Sequence, residues 1–281
     1  MNNTIKLLLF TLAQLFLIET SAQVKVIPVA HSHNDYTRKR PLHDALANGF
    51  LSIEIDVFYN KGNFSVAHTA FGIRKKKNIE NLYLKPLKEI IKENNGSVFQ
   101  YDTTAVLEMM IDTKGVWTEV QLRELEKLLF SYGDIFTVYK NGKSSKGAVR
   151  VLLSGGGYKD LIKNDNPRIF LVDAGIADIS SELGNDIIAR NSSHYKSFFK
   201  WKGRGAMPEK EKEKLLEICN QAKQYNRKVR FWACPNNENI WRELLNAGVG
   251  WVNIDKLEKF KNFYWNEYLP YKATTHCCPR F

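Results

Sequence analysis

The stretch VAHSHNDY, residues 29–36, closes a short apolar run on two histidines, His31 and His33, one residue apart. Beyond it, LSIEIDVFY (51–59) carries Glu54 and Asp56 in a run of strand-forming residues. Side chains two apart on a strand share a face, so these carboxylates point the same way. A His-x-His pair at a strand end is either a transition-metal claw or one acid–base histidine with a neighbour of another role. What the other strands deliver decides between them.

Apolar runs rich in strand formers recur at VKVIPVA (24–30), LSIEIDVFY (51–59), FSVAH (64–68), VLEMMID (106–112), AVRVLLS (148–154), RIFLVD (168–173), VRFWA (229–233) and WVNID (251–255). Amphipathic segments lie between them, among them LHDALANG (42–49), WTEVQLRELEKLLFSYG (117–133), PEKEKEKLLEICNQAKQYN (208–226) and NENIWRELLNAG (237–248). Gly248 stands where a helix C-cap is expected. Strands alternating with helices predict a parallel sheet. At 281 residues a single α/β domain of the (β/α)8 barrel class is the leading architecture, with an open doubly wound sheet second. Neither a repeat nor a Pro/Gly/Ser linker divides the chain, which predicts one domain over 23–270 and a tail over 271–281.

The first residues differ. Lys6 precedes the apolar run LLLFTLAQLFLI (7–18), and Ser21–Ala22 follow. This is the pattern of a signal peptide, expected to span 1–22 and to send the mature chain to the periplasm or outside the cell. The run is short for a membrane span. Net charge is +11, unchanged without residues 1–22 because Lys6 and Glu19 cancel. That excess favours anionic partners, a phosphate or an acidic membrane surface, and RKR (38–40) and RKKK (74–77) are its densest runs. No nucleic-acid motif accompanies the charge, so nucleic acid is not an expected partner. The cysteines are Cys219, Cys234, Cys277 and Cys278, with no C-x-x-C pair, and their connectivity stays open.

Charged residues fall at strand ends. His31 ends the first run, Glu54 and Asp56 occupy the second, His68 ends the third, and Asp112 ends the fourth ahead of Lys114. In a (β/α)8 barrel the C-terminal strand ends form the mouth where active sites are built. Carboxylates gathered there need a cation among them. Glu54, Asp56 and Asp112 offer oxygen alone, which suits Mg²⁺ or Ca²⁺ rather than zinc. His31 and His68 are then free for proton transfer, and Lys114 suits a phosphate oxygen. His33, Arg230 and Trp232 are further substrate contacts. Asp255, in NID (253–255), is placed to orient a histidine or hold arginines. Trp201, His194 and LLSGGGY (152–158) have ordinary structural explanations as good as functional ones.

The block AHSHNDYTRKRPLHDALANGFLSIEIDVFYNKGNFSVAHT (30–69) resembles the opening of the glycerophosphodiester phosphodiesterase and phospholipase-C-like superfamily. MMIDTKG (109–115) is similar to the motif supplying the third carboxylate and a lysine, and VRFWACPNNENIWRELLNAGVGWVNIDKLEKF (229–260) to the closing block. HSHNDY followed by a basic residue and PL most resembles the subgroup named for altered inheritance of mitochondria protein 6. The resemblance implies a TIM barrel of the PLC-like type, one divalent cation and cleavage of phosphodiesters. It implies catalytic roles for His31 and His68, metal ligation by Glu54, Asp56 and Asp112, and phosphate contact by Lys114. The glycerophosphodiesterase pattern HRG with a later PEN is absent; HSH and RPL stand instead. The expected function is a secreted, metal-dependent phosphoric diester hydrolase acting on a glycerophosphodiester or a phospholipid headgroup.

Two other chemistries compete. An amidohydrolase or polymerase-and-histidinol-phosphatase type of barrel would bind zinc or manganese through His31 and His33, with further histidines at later strand ends. A non-catalytic barrel would bind a lipid headgroup or a glycan without cleaving it.

Overall fold

The computed structural model describes residues 23–154 and 157–276. The expected signal peptide, Gly155–Gly156 of the glycine run, and Cys277 and Cys278 lie outside the described residues. Eight parallel strands close into a barrel: β1 (Ile27–Ser32), β2 (Phe50–Asn60), β4 (Leu107–Lys114), β7 (Val149–Ser154), β8 (Phe170–Gly175), β9 (Ile188–His194), β10 (Val229–Trp232) and β11 (Trp251–Ile254). The order is β1-β11-β10-β9-β8-β7-β4-β2, and β1 pairs with β2 to seal the ring. The remaining strands are β3 (Asn63–Val66), which pairs with β2, and the β5 (Val138–Lys140) and β6 (Lys143–Ser145) ribbon.

Two of these strands depart from the sequence-based expectation. FSVAH is not a barrel strand: β3 turns back antiparallel on β2, with Asn60 opposite Asn63. The two turn residues, Lys61 and Gly62, both have positive φ (50° and 77°), the conformation a tight hairpin matched to strand twist requires. The missing barrel strand is β9, IARNSSH. Its apolar signal is weak because Arg190 is buried within the barrel and Ser192 lines its mouth.

Alternation along β2 divides two environments. Ile53, Ile55 and Val57 pack outward in the main core, while Ser52, Glu54 and Asp56 face the barrel interior opposite Glu108, Met110 and Asp112 of β4. Met110, Leu152 and Leu171 form a separate apolar cluster. Beneath the mouth, Glu108 is buried with Arg190 at 2.5 Å. Burial opposes its charge, but Arg190, Lys228 and Arg150 hold its pKa down at about 2. The Trp251 ring lies 5.1 Å from the Arg190 guanidinium and 4.4 Å from the Lys228 ammonium.

Helices cover the barrel: α1 (His43–Ala47), α2 (Lys85–Glu93), α3 (Glu119–Phe130), α4 (Lys159–Ile162), α5 (Glu209–Gln224), α6 (Glu238–Ala247), α7 (Leu257–Phe263) and α8 (Leu269–His276). The last spans position 270, so residues 271–276 of the expected tail are helical. Helix α6 shows why such segments fold. The Asn237 side chain accepts from the Ile240 N–H at 3.1 Å, Gly248 ends the helix at φ 85°, and Ile240, Trp241, Leu244 and Leu245 form its buried face.

The turn entering β2 sets the register of the site carboxylates. Gly49 has φ +77°, its carbonyl accepts from the Ile27 N–H at 2.7 Å, and a Cβ there would lie 2.1 Å from the Lys25 carbonyl oxygen. Gly49→Ala therefore combines a left-handed backbone with a clash, and should cost at least about 2 kcal/mol. Urea denaturation checks this; an unchanged midpoint would remove Gly49 from the register of β2.

Candidate active site

The mouth holds a cavity of about 680 Å³ lined by His33, Glu54, His68, Asp112, Lys114, Asp173, Ser192, Arg230 and Trp232, among others. Glu54, Asp56 and Asp112 each place a carboxylate oxygen within 4.8 Å of the others, so the proposed ligand set converges. Among the described residues, no other group of three His, Cys, Asp or Glu side chains does so. Among the described residues, neither His31 nor His33 thus belongs to a metal-sized cluster of three such side chains.

Burial disfavours charge on Glu54, but the Arg230 guanidinium 2.7 Å away and a hydrogen bond with His31 outweigh it and hold the carboxyl well below its usual range. Asp56 differs. Burial, with Glu54 and Asp112 nearby, raises its pKa despite Tyr36 and Lys114. Its Oδ2 accepts from the Tyr36 hydroxyl at 2.6 Å and lies 3.1 Å from His68 Nδ1 and 3.3 Å from Lys114 Nζ. Its Oδ1 is buried without a hydrogen-bond partner. Lys114 lies 2.5 Å from Asp112 Oδ2. Asp173, the inward residue of β8, is buried 3.3 Å from Arg230 and was not singled out from the sequence.

The charges do not balance. Glu54, Asp56, Asp112 and Asp173 are four carboxylates, against the two cations Arg230 and Lys114. A bound divalent cation would remove that deficit. The orphaned Asp56 oxygen and the all-oxygen set fit a hard ion such as Mg²⁺ or Ca²⁺.

The histidines divide by depth. His31 is completely buried, with Nδ1 2.7 Å from Ser52 Oγ and Nε2 3.1 Å from Glu54 and 2.8 Å from Arg230. Burial, with the Arg230 guanidinium beside it, lowers its pKa to about 3. Both ring nitrogens of His31, expected from the sequence to transfer protons, are engaged behind the residues that line the cavity. His68 reaches the site from the loop after β3, not from a barrel strand, and its side chain is 67% exposed. With its Nδ1 against Asp56, Nε2 is left for the cavity. His33 lines the cavity with Nδ1 2.7 Å from Asp255 Oδ1 and Nε2 4.0 Å from Glu54. Burial opposes charge on that ring, but the hydrogen bond to Asp255 and the Glu54 carboxylate raise its pKa above 6.5.

The loop carrying His33 is pinned from below. Asp35 is buried and accepts from Ser32 Oγ (2.8 Å), the Leu42 N–H (2.6 Å) and Tyr83 Oη (3.0 Å). Arg38 donates to the His33 carbonyl at 2.8 Å and to the Asp255 carbonyl at 2.6 Å. Arg230, expected to meet substrate, is buried and committed to Glu54, Asp173 and His31, so it builds the floor first. Trp232 is 42% exposed and meets His194 edge to face at 4.4 Å. Trp201 is a buried core residue. Cys219 and Cys234 are free and buried.

Residues 19–173 match the family described as the AIM6-like phosphodiesterase domain. The chain is 24% identical over 269 residues to an altered inheritance of mitochondria protein 6 homolog of Arthroderma benhamiae, covering 85% of each. It is 24% identical over 309 residues to altered inheritance of mitochondria protein 6 of Kluyveromyces lactis, covering 85% of this chain and 73% of that one. In fold it is similar to a calcium-dependent phosphoinositol-specific phospholipase C from a Pseudomonas species, with a TM-score of 0.55, 12% identity, and 82% and 88% of the two chains covered. The phosphatidylinositol-specific phospholipase C of Listeria monocytogenes gives a TM-score of 0.52 at 12% identity, with 88% and 94% covered. At such identities the likeness is one of fold.

The His33–Asp255 pair titrates with a defined sign. His33, raised, adds stability below 6.5 that is lost as pH climbs through its folded value; Asp255, lowered chiefly by the His33 hydrogen bond, adds stability above 3.8 that is lost in acid. The pair therefore stabilises most between those two values. Asp255→Asn should move the His33 titration to lower pH in an NMR pH series run with chelator. A titration that stays in place would mean the two side chains are not coupled.

Proposed function

The chain belongs to the AIM6-like phosphodiesterase domain family, and on that premise we propose that it is a metal-assisted phosphoric diester hydrolase whose proton-transfer groups are His33 and His68. The observation that carries this is the convergence of Glu54, Asp56 and Asp112 beside a cavity that Glu54, Asp112, both histidines and Lys114 line. The substrate class is a glycerophosphodiester or a phospholipid-type phosphodiester. The Lys6 and 7–18 pattern supports action outside the cytoplasm, and no helix among the described residues is long and apolar enough to cross a membrane.

Mg²⁺ or Ca²⁺ held by Glu54, Asp56 and Asp112 would supply positive charge for the phosphoryl oxygens. Lys114, already beside Asp56 and Asp112, lies where it can add to that charge. His68, with Nδ1–H on Asp56, presents Nε2 as the base that takes the proton of the attacking water or substrate hydroxyl. As the new P–O bond forms, the bond to the leaving oxygen breaks. His33, whose protonated form Asp255 favours, gives a proton to that leaving oxygen. Arg230 holds Glu54 ionised and His31 neutral, and Tyr36 keeps Asp56 oriented.

His33→Ala and His68→Ala should each lower kcat on bis(p-nitrophenyl) phosphate by roughly 10²–10⁴-fold, the usual loss when a general acid or base is removed. EDTA should abolish turnover, and Mg²⁺ or Ca²⁺ should restore it. His31→Ala should instead lower the melting temperature, because it empties a fully buried site in the barrel and removes the ring that bridges Ser52 and Arg230. Turnover that survives EDTA and both rim-histidine changes would sink the assignment. Saturable headgroup binding without turnover on any phosphodiester would identify a binding barrel instead. Screening glycerophosphodiesters and phosphoinositides with product identification settles the substrate and the bond cleaved.

A further inference from the structure

Two large apolar side chains among the described residues stand almost entirely in water, Phe71 at 94% and Val116 at 90% exposure. Each follows closely on a residue that lines the mouth, Phe71 on His68 and Val116 on Lys114. Phe71 lies in the short turn Ala70–Gly72, three residues past His68, in a loop whose start is fixed by the Ala67 N–H donating to the Asp56 carbonyl at 3.2 Å. Val116 lies two residues past Lys114, on the loop leaving β4, and Asp112 of β4 is the register partner of Asp56. The first loop thus starts beside Asp56 of β2 and the second just beyond Asp112 of the adjacent strand β4.

Both turns are built to present these residues. Arg74 donates to the carbonyls of Phe71 (2.9 Å) and Ile73 (2.8 Å), closing the first turn on itself. Trp117 donates from Nε1 to the Lys114 carbonyl at 3.1 Å and stacks on Phe64 at 5.9 Å, anchoring the second while Val116 points away. Beside Phe71 runs Arg74-Lys75-Lys76-Lys77, all exposed, and no acidic residue occurs between His68 and Ile79. A rigid apolar tip next to four cations, on a chain of net charge +11, is complementary to an anionic interface that has hydrocarbon beneath it. A soluble polyanion would meet the cations and leave Phe71 and Val116 in water.

We propose that this rim docks on an anionic lipid bilayer, with Phe71 and Val116 entering the headgroup–acyl boundary and Arg74, Lys75, Lys76 and Lys77 lying against the lipid phosphates. Docked so, the mouth opens onto the membrane, and Trp232, across the barrel on β10, faces the same surface. The docking goes beyond the phosphodiesterase reading and is measured without turnover, so either can fail alone.

The test is co-sedimentation of the purified chain with phosphatidylcholine vesicles, with and without phosphatidylserine, at low and raised salt. The wild type should bind the phosphatidylserine vesicles and release them as salt rises. Phe71→Ser/Val116→Ser should weaken that binding about tenfold or more, with hydrolysis of a soluble phosphodiester unchanged. The quadruple Gln variant of residues 74–77 should bind phosphatidylserine vesicles no better than phosphatidylcholine alone. Absence of wild-type binding at low salt, or binding equal to wild type in both variants, overturns the proposal. So does a dimer in sedimentation velocity that Phe71→Ser disperses while vesicles go unbound, which would give the face to a second copy of this chain.

Discussion

Carboxylates cannot stay ionised inside a closed barrel unless cations stand beside them, and that requirement organises the interior of this protein. Arg230 is the central answer. From β10 it reaches Glu54 at 2.7 Å and Asp173 at 3.3 Å, and its Nη1 also lies 2.8 Å from His31. One guanidinium thus ties β10 to β1, β2 and β8. Below it the balance reverses, with Glu108 facing Arg190, Arg150 and Lys228. Arg230 favours the charged form of Glu54, while burial raises the pKa of Asp56 and Asp173, whose surroundings are short of positive charge. A divalent cation held by Glu54, Asp56 and Asp112 would supply the charge those surroundings lack.

The same requirement explains which parts of the fold could be read from the sequence. Strands whose outward faces are apolar, such as β2 and β4, announce themselves as runs of Ile, Val, Leu and Met. Glu54, Asp56 and Asp112 are conspicuous because they interrupt those runs. Strand β9 is the opposite case. IARNSSH keeps one buried aliphatic residue at its start and is otherwise polar, because Arg190 and Ser192 serve the barrel interior and its mouth while Asn191 donates to the Gly175 carbonyl of β8. FSVAH has the composition of a barrel strand, but Lys61–Gly62 before it is a two-residue turn, and the short return strand pairs antiparallel. His68 reaches the site by that hairpin, so its arrival was legible while its route was not. Asp173 ends RIFLVD as Asp112 ends VLEMMID, so its signal was present in the sequence, whereas Tyr36 carried none because its role comes from a contact across to β2.

Depth along the barrel axis separates the two histidines of HSH. A residue inside β1 is fixed by its register neighbours, and His31 lies between Ser52 of β2 and Asn253 of β11. His33 is one residue beyond the end of β1, where the alternation of strand faces no longer governs direction. Its N–H donates to the Ile254 carbonyl at 3.1 Å, and the chain then turns at Asn34 with φ 48°. Asp255 is likewise one residue beyond β11. Two adjacent parallel strands thus end together and deliver a histidine and a carboxylate to the rim, 2.7 Å apart. A one-residue spacing that within a strand would aim both imidazoles at one metal here gives one to the scaffold and one to the cavity. Burial and the arginines disfavour charge on the inner ring, while the aspartate beside the rim ring favours it.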